Sequence, residues 1–306
     1  MRRLGFILFL LSTLLAVAQT NQSFSELDAV KSEDKSIIGI ASKGDENVGK
    51  YNSSETRVRP IFDKLLAQDP TGQQWLTKLL KMGSRAGQMT VPSDVGCLVE
   101  EKRYEFSVNP PKSFLEWLLV HRNELQMPAD RFWKEWSPDT QQKREKFMDG
   151  DEEVLTEALD SLHSCKKMPD RTWWRLEGVT KVDCALITAT TVVFIEGKRT
   201  EMGASKDILW YPQRNQVLRN LDCAAELARQ TGRPNYFVLL VVEKPLVEAD
   251  PIRQQEIKAV EDMKTVDESL PHLSKGERAE LMRHYLGYTT WQDIVDGFSL
   301  PKELLE

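Results

Sequence analysis

Two short apolar segments that flank a tight turn, followed by a long helix and a buried strand, constrain the fold of this chain most. Residues 182–188 and 191–198 are rich in β-branched side chains, which favour β-strands. Residues 211–229 carry apolar side chains at helical spacing and run into a Thr-Gly-Arg-Pro helix stop. Residues 236–242 are continuously apolar, as in a strand buried on both faces. The order predicts a β-hairpin, a covering helix and a central strand.

Two upstream segments complete this pattern. Residues 151–162 place apolar side chains on one helical face and acidic ones on the other, which predicts an amphipathic helix. Residues 173–179 read as a strand. The predicted order is therefore α-β-β-β-α-β, and the fold class is α/β (α+β).

The flanking regions are predicted to be mainly helical. Residues 56–148 form an N-terminal helical region, and residues 246–306 a C-terminal helical extension. Phe132, Trp133 and Trp136 fall along one helical stripe, a pattern typical of core packing. The predicted helices are 58–66, 75–82, 113–121 with Ser113 as N-cap, 274–286 and 291–295.

The N-terminus resembles a secretory signal. Residues 1–18 combine a positive start, an apolar run and a small-x-small cleavage pattern. We expect export to a periplasmic or secreted location, with no stable membrane partner after cleavage. The alternatives are a membrane anchor that stays uncleaved, or a misassigned start upstream of a cytoplasmic protein. Residues 19–55, rich in polar and charged side chains, are predicted to be a flexible linker.

Charge and cysteine content restrict the function classes. The 306 residues carry a net charge of −6, so the chain is not basic throughout. Residues 171–234 nevertheless hold ten Lys and Arg against seven Asp and Glu, a local excess of three positive charges. The cysteines and histidines lack the spacing of a zinc site. A disulfide between Cys97 and Cys165 stays open for an oxidising compartment.

The hairpin brings three charged residues together. If its turn is centred on Ala189 and Thr190, either as a two-residue turn or as a four-residue loop with the same centre, Asp183 lies directly opposite Glu196, with Cβ atoms about 4.5–5.5 Å apart. Lys198, two residues further along, returns to the same face. Two adjacent carboxylates suit a shared hard divalent cation. The alternative is a plain salt bridge between Lys198 and Glu196 at a sheet edge.

The segment KVDCALITATTVVFIEGKRTE, which contains these residues, resembles the active-site region of the PD-(D/E)xK, or restriction-endonuclease-like, superfamily. The resemblance covers residues 149–245 and implies an αβββαβ core with added N- and C-terminal helices. It implies that Asp183 and Glu196 bind Mg²⁺, with Mn²⁺ as an alternative. Lys198 would be the catalytic lysine that orients the attacking water. Val182 stands where the family motif has Pro, and the literal Pro169-Asp170 is predicted to be loop.

The resemblance also implies helper residues. An additional acid from the preceding helix would be Glu153 or Glu157, each of which also fits a solvated helix face. Substrate contacts would come from Gln213, Arg214 or Gln216 at the start of the following helix, where free N–H groups favour phosphate oxygens. An ordinary exposed first turn is the alternative for these three.

The expected function is metal-dependent hydrolysis of phosphodiester bonds in nucleic acid, with DNA the expected partner. One alternative is a catalytically inactive nuclease-like fold that serves as a nucleic-acid- or protein-binding module. Another is a secreted structural domain in which Glu196 and Lys198 only form an ion pair.

Overall fold

A five-stranded mixed sheet organises the structure. The computed structural model describes residues 52–100, 102–199 and 209–306. The strands are β1 (Tyr104–Val108), β2 (Thr180–Ile187), β3 (Thr191–Gly197), β4 (Asn235–Val242) and β5 (Tyr285–Thr290), and they lie in chain order. The first three strands are antiparallel to one another, whereas β4 and β5 continue in parallel with β3. The protein therefore has a mixed α/β fold, as its sequence predicts.

Helices cover both faces of this sheet. In chain order they are α1 (Arg59–Gln68), α2 (Leu76–Leu80), α3 (Lys112–Val120), α4 (Asp130–Trp133), α5 (Pro138–Asp149), α6 (Glu152–Ser164), α7 (Gln216–Thr231), α8 (Lys244–Ala249), α9 (Pro251–Ala259), α10 (Met263–Ser269), α11 (Lys275–Met282) and α12 (Trp291–Gly297). A π-helical turn, Ser54–Val58, leads into α1. In the part of the chain described here, we find no helix long and apolar enough to span a membrane.

The β2–β3 hairpin confirms the predicted turn. Thr188 N–H donates to the carbonyl of Thr191 at 2.9 Å, which leaves Ala189 and Thr190 as a two-residue loop. Ala-Thr is a weak pair for such a loop. The Thr188 hydroxyl compensates, because it accepts from the N–H groups of Thr190 (3.2 Å) and Thr191 (3.0 Å). The side chain before the loop therefore stabilises it.

Alternation along the strands divides the core into two layers. Cys184 and Leu186 of β2 face a layer that contains α1, α2 and α12, and Ala185 and Ile187 face a layer that contains α7. A third apolar cluster joins α3, α5 and α6 around buried tryptophans. The N- and C-terminal helices thus pack on the same sheet, and the described residues belong to one compact unit.

The first predicted strand is wrong. Residues 173–179 form a turn followed by irregular backbone, with Trp173, Trp174 and Leu176 buried in the third cluster. Apolar spacing there reflects burial against helices rather than strand pairing. The first strand is instead β1, and helices α3 to α6 lie between it and β2. The predicted αβββαβ order therefore holds from β2 onwards only.

Three helix ends also differ from prediction. The helix predicted from residue 211 begins at Gln216, because Pro212 and Gln213 form a turn and Asn215 caps the helix. The helix predicted for 274–286 ends at Met282, and the following residues form β5, which pairs with β4. The helix predicted for 113–121 begins at Lys112 after Pro111, so Ser113 is not its cap. The predicted stop after α7 is confirmed, with Gly232 in the left-handed conformation (φ 66°).

The predicted signal segment, residues 1–18, lies outside the described residues, as does all of the predicted linker up to residue 51. The last linker residues already belong to the helical turn that starts at Ser54. All four cysteines are free, so the structure does not contain the disulfide considered for Cys97 and Cys165.

Candidate active site

The three predicted site residues lie where β2 and β3 run side by side. Cys184 pairs with Ile195, so the next positions along the two strands, Asp183 and Glu196, face each other. Asp183 Oδ2 accepts a hydrogen bond from Gly197 N–H at 2.8 Å. Lys198 follows directly after β3, and its N–H donates to the carbonyl of Val241 at 2.8 Å. Strand pairing on both sides therefore determines where the two acids and the amine stand.

Glu196 is the centre of a short chain of polar contacts. Its carboxylate is 1% exposed and lies 2.9 Å from the Lys198 ammonium through Oε1. Asn220 Nδ2 donates to the other oxygen, Oε2, at 2.8 Å. The Lys198 ammonium also donates to Gln216 Oε1 at 2.9 Å. Gln216 and Asn220 are four residues apart, so the same face of α7 supports both charged groups.

Gly197 is required by close packing beneath the site. A Cβ at this position would stand 2.5 Å from Val58 Cγ2 and 2.8 Å from the Trp291 ring. The Ser53 hydroxyl donates to the Gly197 carbonyl at 2.9 Å, and Trp291 Nε1 donates to the Lys198 carbonyl at 3.0 Å. Gly197 is thus packed tightly between the π-helical turn Ser54–Val58 and α12.

Negative charge exceeds positive charge at the site. Burial, together with the adjacent Glu196 carboxylate, raises the pKa of Asp183 to about 8, although the Gly197 N–H and the Lys198 charge act in the opposite direction. Glu105 adds a third acid. Tyr104 pairs with Cys184 and Phe106 with Val182, which sets Glu105 level with Asp183 on β1. Its charge further raises the pKa of Asp183.

Glu105 and Asn220 are not among the site residues predicted from the sequence. Glu105 has a left-handed backbone (φ 49°), uncommon outside glycine, and accepts from the Ser54 hydroxyl at 3.0 Å. It carries no sequence signature because its strand was not predicted. Asn220 does have a recognisable sequence feature, because it is an amide on a face of α7 that is mostly apolar. It lies four residues after Gln216.

A cleft of about 230 Å³ adjoins the site. Lys198 and Gln216 form one wall, and the remaining lining is mostly apolar, from β4 and α9. Within the described ranges no group of three or more His, Cys, Asp and Glu side chains is arranged to hold a metal ion. Two carboxylates with an excess of negative charge still fit Mg²⁺, which commonly takes one or two protein carboxylates and completes its shell with water and phosphate oxygens.

Of the three predicted substrate contacts, the structure brings Gln216 alone to the predicted site, where it contacts Lys198. Gln213 is exposed in the turn before α7. Arg214 is fully buried and pairs with Glu177 and Asp222, so the structure does not bring it to the predicted site. Asn215 Oδ1 accepts from the N–H groups of Val217 (2.9 Å) and Leu218 (3.2 Å), which occupies two of the donors that a phosphate would need at this helix start.

Arg214 belongs to a separate arrangement that we call the arginine network: Arg214, Arg219, Glu177 and Asp222. Arg214 lies 2.7 Å from the Asp222 carboxylate and 3.3 Å from that of Glu177. Arg219 reaches the other Glu177 oxygen at 3.2 Å. Two cations and two anions balance, and every member is at most 6% exposed at its side chain. This network connects α7 to the segment that precedes β2.

The structure does not bring the proposed additional acids to the site. Glu153 is exposed on α6. Glu157 lies 2.6 Å from the Lys143 ammonium and accepts from Trp173 Nε1 at 3.2 Å, which places it against α5. These contacts agree with the solvated helix face considered as the alternative. Pro169-Asp170 lies in a loop, as predicted.

Comparison of the chain with protein-family models, with curated proteins and with solved structures gives no match.

Proposed function

We propose that this protein is a metal-dependent phosphodiesterase that cleaves nucleic acid, with DNA as the expected substrate. The observation that carries the proposal is the pair of facing carboxylates, Asp183 and Glu196, beside an ammonium that Gln216 holds in place. Hydrolysis of a phosphodiester requires that negative charge on phosphate be neutralised and that a water be oriented. The site supplies residue types for both tasks.

Asp183 and Glu196 would hold Mg²⁺ or Mn²⁺, which supplies a Lewis acid and lowers the pKa of a bound water. Asn220 keeps the Glu196 carboxylate oriented, and Gln216 does the same for the Lys198 ammonium. Lys198 would neutralise charge on the phosphate and orient the water. The raised pKa of Asp183 supports a cation at this place, because a cation favours the ionised carboxylate that burial disfavours.

The alternative function, a catalytically inactive fold that binds nucleic acid or protein, also has an observation in its favour. Both oxygens of Glu196 already have partners, Lys198 and Asn220. A cation would therefore share Glu196 with the ammonium or displace it. A measurement of metal binding at this site therefore distinguishes the two functions.

The test is cleavage of linear duplex DNA, plasmid, single-stranded DNA and RNA by the full chain with Mg²⁺ or Mn²⁺. Asp183→Asn and Lys198→Met are expected to lower the rate by about a hundredfold to ten-thousandfold, the range for removal of a group that takes part in proton transfer or charge stabilisation. The matched controls are Asp160→Asn on α6 and Lys275→Met on α11, two exposed residues. Cleavage that persists in both site variants would contradict the assignment of Asp183 and Lys198 to the active site. Metal binding without cleavage of any substrate would favour the binding module.

A further inference from the structure

A second cleft lies on the helical side of the protein, between α5 and the loop that precedes β2. Its volume is about 530 Å³, and its lining includes Trp136, Thr140 and three arginines: Arg144, Arg171 and Arg175. Cavities that hold small-molecule ligands typically occupy about 300–1,000 Å³. We call it the arginine cleft. None of these residues has a part in the proposed nuclease chemistry.

Among the described residues, no carboxylate accepts a hydrogen bond from two of the three guanidinium groups, and both of these groups are buried. Arg144 is 5% exposed and donates to the carbonyls of Trp173 (2.8 Å) and Arg175 (3.5 Å). Arg175 is 6% exposed and donates to the Pro169 carbonyl (2.8 Å) and to Asn109 Oδ1 (2.7 Å). Arg144 Nη1 is buried without a hydrogen-bond partner among the residues that the structure describes. A cation removed from water in this way is costly unless an anion compensates it.

In the arginine network, by contrast, carboxylates compensate the charge of a buried arginine. There, the charges of Glu177 and Asp222 outweigh the effect of burial and raise the pKa of Arg214. In the cleft, burial lowers the pKa of Arg144 to about 10. Burial also lowers the pKa of Arg175, against the charges of Asp170 and Glu177. Carboxylates therefore compensate the charges of Arg144 and Arg175 less than they compensate that of Arg214.

The cleft wall offers further features of a binding site. Arg171 is exposed and available for direct contact. The Trp136 ring stacks on Trp210, with ring centres 5.8 Å apart, and the Arg144 guanidinium lies over the Trp136 ring at 3.7 Å, so the aromatic wall packs against one of the buried arginines. Glu135 and Asp170 also line the cleft, but both are exposed, and water screens their charge.

We propose that the arginine cleft binds a phosphate group, carried either by a small phosphorylated molecule or by the end of a nucleic-acid strand. Guanidinium groups match phosphate oxygens through paired N–H donors, and three of them suit a dianion better than a single carboxylate. Arg171 would contact the phosphate directly, and the buried charges of Arg144 and Arg175 would attract it from behind. The proposal does not depend on nuclease activity.

The test is isothermal titration of the full chain with inorganic phosphate, with adenosine monophosphate and with a 5′-phosphorylated single-stranded oligonucleotide. Arg171→Ala is expected to weaken phosphate binding about tenfold to a hundredfold, the effect of losing one charge-assisted hydrogen bond. Arg144→Gln is expected to weaken it at least as much. Arg171 is exposed, so its variant stays informative if Arg144→Gln fails to fold. Arg283→Ala, at an exposed arginine directly after α11, is the control and is expected to bind as the wild type does.

The probes distinguish the two sources of phosphate. Binding of the monophosphate that the oligonucleotide does not displace indicates a small molecule, whereas competition by the oligonucleotide indicates a strand end; either outcome supports a phosphate site. The proposal is overturned if none of the three probes binds at millimolar concentration, or if Arg171→Ala and a folded Arg144→Gln bind phosphate as tightly as the wild type.

Discussion

The acid pair at Asp183 and Glu196 and the arginine network around Arg214 are both buried groups of charges, yet they are built on opposite principles. In the network two cations meet two anions, and Arg214 is fully buried. At the acid pair two carboxylates meet one ammonium, which is 16% exposed and lines a cleft. In a balanced and closed cluster, the buried charges compensate one another. An unbalanced cluster at a cleft is suited to a charged ligand, since burial without compensation costs free energy.

Removal of a cation from the balanced cluster should have the largest effect on stability. Arg214→Gln removes the cation that Glu177 and Asp222 share in the buried cluster, and we expect the free energy of unfolding to fall by about 3–5 kcal/mol. Urea unfolding measures this. Arg283→Gln is the control, because that arginine pairs with Glu280 at the surface and should change stability by about 0.5 kcal/mol or less. Equal stability of Arg214→Gln and the wild type would mean that the network is not structural.

Overpacking beneath the acid pair should cost less. The Cβ of Gly197→Ala would meet Val58 and the Trp291 ring at 2.5 and 2.8 Å, so β3 or α12 has to move. We expect a loss of about 1–3 kcal/mol, together with reduced cleavage because Glu196 and Lys198 flank the position. Gly276→Ala on α11, where nothing lies within 4 Å, should instead leave the protein as stable or raise its stability by up to about 1 kcal/mol. Similar outcomes for the two variants would show that the packing around Gly197 is loose.

The pH dependence of stability also distinguishes the acid pair from the arginine network. Asp183 has its pKa raised from 3.8 to about 8, so its protonated form favours the folded state. The stability it contributes is present below about pH 4 and is lost as the pH rises through about 8. Asp183→Asn should remove this component, whose slope is at most about 1.4 kcal/mol per pH unit for one proton.

Unfolding of wild type and Asp183→Asn in urea at several pH values measures the difference between them. Mg²⁺ should flatten the wild-type curve and leave that of the variant unchanged. A constant difference across this pH interval would mean that Asp183 is ionised and compensated without a metal, as the residues of the arginine network are.

The sequence determined more of the site than of the fold around it. The positions of Asp183 and Glu196 follow from strand alternation and from a turn centred on two residues, and both rules act over a short stretch of chain. For the same reason Lys198 could be placed beside Glu196. Residues 173–179 carry an apolar pattern that suits either a strand or a buried turn, and the pattern alone does not distinguish them.

Only the tertiary structure decided which strand is first and which charges compensate each other. β1 pairs with a strand that lies four helices later in the chain, and β5 pairs with β4 across a further group of helices. In the sequence, Arg214 is a candidate for substrate contact because it lies near the start of a helix. In the structure, its guanidinium donates to the carboxylates of Glu177 and Asp222. Short-range rules specify strands, turns and the residues they carry. Long-range packing specifies which of those residues are buried with a partner and which are left for a ligand, because the cost of burying a charge depends on what surrounds it in space.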